Sequence, residues 1–139
     1  MTGESPNKAQ PIHIHLRGDD SGGHLALIEM TFAVGDTGPP LHLHPGHGEG
    51  FYVLSGEMTF RVGEETMVGG AGEFAWAAAG VPHTLGNLST REARVLVLCG
   101  PAGFERYFER LAAGQHGPPE ADAVRVGPSF GEQAPEVGR

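Results

Sequence analysis

At 139 residues, with 39% hydrophobic and 19% charged, the chain suits one domain around a single hydrophobic core and is too apolar for a disordered one. Nine Lys and Arg against 17 Asp and Glu give a formal net charge of −8, which argues against nucleic acid or an anionic membrane as partner, since both need a basic patch. Cys99 is the single cysteine, so no internal disulfide can form, and no apolar run approaches the ~18 residues of a spanning helix.

The start of the chain, residues 1–11, is polar and reads as a loose arm without signal-peptide character, so the expected location is the cytoplasm. Residues 12–16 alternate, with Ile12, Ile14 and Leu16 on one face and His13 and His15 on the other. This first His-x-His has no carboxylate near it in sequence and leads into a polar turn at 18–23, so it reads as an exposed or dimer-facing strand. Residues 24–34 form a long strand with Ala26, Ile28, Met30, Phe32 and Val34 on one face; both faces are apolar enough to be covered.

The densest chemistry follows a turn at 35–40. His42, His44, His47 and Glu49 fall within eight residues. On a strand His42 and His44 point to one face, and a Gly/Pro loop lets Glu49 return to them. Imidazole nitrogens beside a carboxylate suit a zinc, iron, nickel, copper or manganese ion. Strands are then expected at 51–54, 58–62, 66–68, 74–78 and 93–99, separated by turn signals about every 8–12 residues, the spacing of a sandwich or barrel. His83 opens a further short segment that ends at Asn87. Cys99, inside the last strand, reads as a small buried hydrophobe.

After Pro101, the residues Phe104, Tyr107, Phe108 and Leu111 recur at helical spacing and predict a helix ending near Gly114. The simplest role for this aromatic stripe is core packing against the outside of the barrel, with lining a substrate as the alternative. Residues 115–139 are rich in Gly and Pro and read as an extended surface tail with one short strand at 123–126.

Two motifs together resemble the cupin superfamily. His42, His44, Glu49 and Gly56 match its first motif, with Gly35 or Gly38 slightly displaced from the usual leading glycine. Gly72, Gly80, His83 and Asn87 match the second, with Ala78 where proline usually stands. The run 101–108 is similar to the C-terminal helix of small quercetin-dioxygenase-like cupins. The resemblance implies an all-β fold, an antiparallel jelly-roll barrel with one C-terminal helix, in which residues 12–114 form the domain. It assigns His42, His44, Glu49 and His83 to one divalent transition metal ion (Ni, Fe, Mn, Cu or Zn).

His47, outside the motif, is read as a solvent-exposed loop residue, with a supporting or gating role as the alternative. Asn87 is read as a hydrogen bonder at a strand end. Period-two phasing from Glu49 predicts a pocket lined by Phe51, Val53, Met58, Phe60, Trp76 and Leu85. No Lys or Arg is assigned inward, so the pocket suits a flat aromatic or apolar molecule.

The expected function is a metal-dependent, dioxygenase-like enzyme on a small aromatic or polyphenolic substrate, with Glu49 as ligand and base. The alternatives are a cyclase or isomerase of an aromatic polyketide-type pathway, which needs no oxygen, and a non-catalytic small-ligand or metal-binding module. The expected partners are a small molecule and, because jelly-roll edge strands need cover, a second copy of the chain pairing through residues 12–16.

Overall fold

A computed structural model describes residues 11–115 and 123–132. Within them the elements run β1 (Ile12–Leu16), α1 (Gly18–Ser21), β2 (Ala26–Phe32), β3 (His42–Leu43), β4 (Gly48–Ser55), β5 (Glu57–Val62), β6 (Glu65–Gly70), β7 (Phe74–Ala77), β8 (His83–Gly86), β9 (Ala93–Gly100), α2 (Glu105–Ala112) and β10 (Val124–Arg125). The strands form two five-stranded antiparallel sheets, ordered β1-β2-β9-β4-β7 and β10-β3-β8-β5-β6. This is the expected all-β jelly roll. Most of the arm and much of the tail expected beyond residue 114 lie outside the described residues.

The core is the sum of the inward faces. Ala26, Ile28, Met30 and Phe32 of β2, Phe51 and Val53 of β4, Met58 and Phe60 of β5, and Val95, Val97 and Cys99 of β9 are all buried. Alternation in sequence places them there, because successive residues of a strand face opposite sides.

The phase of β7 differs from expectation. Ala75 and Ala77 face inward, whereas Phe74 and Trp76 are 53% and 50% exposed. Trp76 therefore does not line the interior. The cause is register: Phe51 pairs with Ala75 and Glu49 with Ala77, so the alanines share the inner face with them. On the outer face Gly48 and Gly50 leave room for the rings. A Cβ on Gly50 would stand 2.6 Å from the Phe74 ring, and one on Gly48 2.6 Å from Trp76.

β1 forms one edge of the first sheet. Its outward His15 meets a carboxylate that sequence distance concealed. The Glu29 carboxylate lies 2.9 Å from His15 Nε2 and accepts from Arg94 Nε at 2.9 Å. His15 of the first His-x-His is thus part of an exposed polar cluster with Glu29 and Arg94 on the outer face of the sheet.

Helix α2 folds back over the barrel. Its Glu105 carboxylate accepts the backbone N–H groups of Gly18 and Gly103 at 2.8 and 2.6 Å, and Glu109 pairs with Arg17. These contacts pin α2 to the β1–β2 connection. The aromatic stripe consequently faces the interior: Phe104 and Phe108 are buried and belong to the core. No helix among the described residues is long and apolar enough to cross a membrane.

Candidate metal centre

Both sheets contribute to the centre. His42 of β3 and His83 of β8 pair directly across the second sheet. Glu49 of β4 comes from the first sheet, where it pairs with Ala77 and Cys99. His44 lies in the connection between β3 and β4, held where its carbonyl accepts the Gly80 N–H at 2.8 Å. His42, His44, Glu49 and His83 each offer a donor atom, and these atoms lie within 4.8 Å of one another. The four residues that the cupin resemblance assigned are therefore brought together.

Backbone carbonyls set which ring nitrogens point inward. His42 Nδ1 donates to Pro40 O at 2.7 Å and His83 Nδ1 donates to Val81 O at 2.9 Å. A carbonyl only accepts, so each Nδ1 carries the proton and Nε2 is left for another partner. His83 Nε2 then faces Glu49 Oε1 at 3.2 Å, and His44 Nε2 stands 3.5 Å from Glu49 Oε2. Lone pairs so close to a carboxylate require a proton or a cation between them. This donor set fits a transition metal ion, and it has the outer hydrogen bonds that such ligands use.

The electrostatics agree. Burial pulls His44 down to about 4 and lowers His42, so both rings are neutral near pH 7, the form that ligates. Burial alone raises Glu49. The imidazoles of His47, His83 and His44 gathered around it outweigh burial and hold this carboxyl well below its ordinary value.

His47 is not a solvent-exposed loop residue. It is 4% exposed, and its Nε2 lies 3.3 Å from Glu49 Oε2. Its ring stacks on His44 at 4.2 Å and packs on Phe104 at 5.0 Å. The Cys99 thiol also approaches Glu49 Oε2, at 3.6 Å. Asn87 does act as a hydrogen bonder: its amide donates to Phe32 O and Arg91 O.

His42 and Glu49 open onto a cavity of about 480 Å³. Of the residues expected to line it, Phe51 and Leu85 do, while Val53, Met58 and Phe60 belong to the core. Sequence reasoning missed Asp36 and Arg125, which also line it, and gave lining only as the alternative role of the stripe residues Phe104, Tyr107, Phe108 and Leu111, which line it too. Arg125 sits in β10, opposite His42 in register, and donates to Glu132 at 3.0 Å. The helical period of the stripe was the available signal, but periodicity does not say which surface a helix covers. Arg125 belongs to a two-residue strand with no pattern to reveal its partner.

The Cupin domain family profile matches residues 28–99, a span holding all four clustered ligand candidates. The chain belongs to the cupin domain family. No curated protein matches it. Among solved structures, this cupin is similar to TT1209 from Thermus thermophilus, with 27% identity, 67% of this chain and 84% of that chain covered, and a TM-score of 0.58. KdgF from Halomonas sp. shares 16% identity over 74% of this chain and 88% of its own, with a TM-score of 0.63. Bacillus subtilis oxalate decarboxylase, a protein with Mn(II) centres, shares 19% identity over 73% of this chain and 28% of its own, with a TM-score of 0.61. The last two likenesses are of fold.

Proposed function

We propose that this cupin is a metal-dependent enzyme for a small, flat aromatic or polyphenolic substrate, with dioxygenase-like chemistry as its reaction. The observation that carries the reading is the opening of a His/Glu donor cluster onto a cavity walled by Phe51, Phe104, Tyr107 and Phe108. Pockets of this size and lining take small organic molecules. A small dicarboxylate such as oxalate is poorly matched: Glu49 and Asp36 are both acidic, and the Arg125 guanidinium is already paired with Glu132.

His42, His44, His83 and Glu49 would hold one divalent transition ion. When bound, that ion supplies a Lewis acid that lowers the pKa of chelating substrate hydroxyls. Glu49 is placed to receive a hydroxyl proton at a carboxylate oxygen, and its contact with His47 Nε2 steadies it in that position. The backbone bonds from His42 and His83 keep their Nε2 atoms aimed inward. Phe104 and the rest of the α2 stripe exclude water from the apolar end.

Elemental analysis of the purified protein tests the metal, and flavonols followed by absorbance with an oxygen electrode test the reaction. The expected results are about one ion per chain, saturable flavonol binding, and oxygen uptake that Glu49→Gln abolishes. A chain that takes up none of Ni, Fe, Mn, Cu or Zn overturns the reading. Turnover without oxygen replaces the dioxygenase by a cyclase or isomerase.

A further inference from the structure

The outward side of the first sheet takes no part in the metal centre. Residues directly paired across antiparallel strands share a face, and the register lays two rows across this one. The first runs Phe74, Tyr52, Leu96 and Glu29, the second Trp76, Gly50, Leu98 and Leu27. Phe74, Trp76 and Tyr52 are 53%, 50% and 38% exposed, and the three leucines are half-buried. Three rings and three leucines thus adjoin on an open surface.

The rings of β7 are held flat. A Cβ on Gly50 would strike the tip of Phe74, and one on Gly48 the far edge of Trp76, so both rings lie across the bare backbone of β4. Rings fixed in this way lose little rotamer freedom when they are covered. An aromatic side chain presents about 150–250 Å², so at these exposures the three rings leave roughly 300 Å² open, a size at which an apolar patch marks an interaction site.

Charge and area say what covers it. The chain carries a net charge of −8, yet Glu29 is the one acid among the outward positions of the five strands, and it accepts from Arg94 Nε at 2.9 Å. Two copies of an acidic chain therefore repel least through this face. Five strands about 4.8 Å apart and about 20 Å long make a face on the order of 500 Å² in plan. Side-chain relief raises its accessible area toward the ~800 Å² per partner of a stable dimer, with the rings as apolar centre and Glu29, Thr31 and Arg94 at the polar rim.

We propose that this face is the contact between two copies of the chain, packed sheet against sheet about a two-fold axis with Phe74, Trp76 and Tyr52 at the centre. A two-fold contact uses one patch twice and must suit itself; flat rings meeting flat rings do. The β1 edge, expected from the sequence to pair between copies, offers backbone groups but little apolar area, because Ile12 and Ile14 pack against the core. The inference is independent of the reaction proposed above.

Trp76 is the only tryptophan, so its fluorescence reports on this face alone. Light scattering of the full chain at roughly 100 μM is expected to give twice the chain mass, with Trp76 shielded from acrylamide. Phe74→Glu and Tyr52→Glu put a charge at the centre, and each is expected to halve the mass and open Trp76 to the quencher. Val68→Glu, at a position of the other sheet that is 58% exposed, is expected to change neither reading. If either Glu variant fails to fold by circular dichroism, Phe74→Ser or Tyr52→Ser, which removes the ring without adding charge, takes its place under the same readings. A monomeric wild type overturns the proposal. A dimer that survives both substitutions, or one whose Trp76 is quenched freely, also overturns it and places the contact elsewhere, as at the β1 edge. A shielded Trp76 in a monomer overturns it too, and means that the chain covers this face itself.

Discussion

Three imidazoles and a thiol stand within 3.6 Å of the Glu49 carboxylate, so this one side chain organises its surroundings. Two of those imidazoles, on His44 and His83, share the cluster that suits an ion, while His47 meets the carboxylate from outside that group of four. That contact places His47 to orient Glu49, and groups that orient a ligand are worth about 10–100-fold in metal affinity. His47→Ala is expected to weaken binding by that factor, with the same number of ions at saturation, in a competition titration against a chromophoric chelator. Unchanged affinity would reduce His47 to packing. His42, His44 and Glu49 were legible because their spacing is short and patterned, and His83 because the motif around it resembles the second cupin motif. The role of His47 was not: its burial is supplied by Phe104, far along the chain, and a Gly/Pro-flanked histidine reads locally as exposed.

A strand whose two faces differ was read in the correct phase, as in β5. β7 was not, because Phe74-Ala75-Trp76-Ala77 is apolar in both phases and only its register with β4 decides. Helix α2 was recognised from its period, and its placement came from a polar contact that no periodicity contains. Glu105 is buried and ties the backbone of Gly18 and Gly103 to the helix start. Glu105→Ala would leave both N–H groups without that acceptor and is expected to cost about 1–3 kcal/mol, read by urea denaturation. The same variant should release Phe104 from the cavity rim, so flavonol affinity should fall more than global stability predicts. A variant with wild-type affinity and only a lower midpoint would show that α2 is held by its apolar face alone.

At the scale of the molecule, the jelly roll followed from the strand spacing and the two motifs, whereas the closing of its interior by α2 did not. The centre links the halves of the barrel: His42 and His83 belong to one sheet and Glu49 to the other. An ion held there ties the two sheets together and, because unfolding separates the ligands, binds the folded state selectively. At free metal about 1,000 times Kd the added stability is about 4 kcal/mol, a rise in Tm on the order of 10 °C for a chain of this size. Stripping with a chelator should remove that increment, and readdition of the metal should restore it. His83→Ala, which leaves one wall of the centre without its imidazole, should melt at the same temperature with and without chelator. If wild type also melts identically in both conditions, no ion bridges the sheets. If His83→Ala keeps the full chelator response, the ion is held elsewhere, and the alternative grouping of His47, Glu49 and Cys99 becomes the place to look.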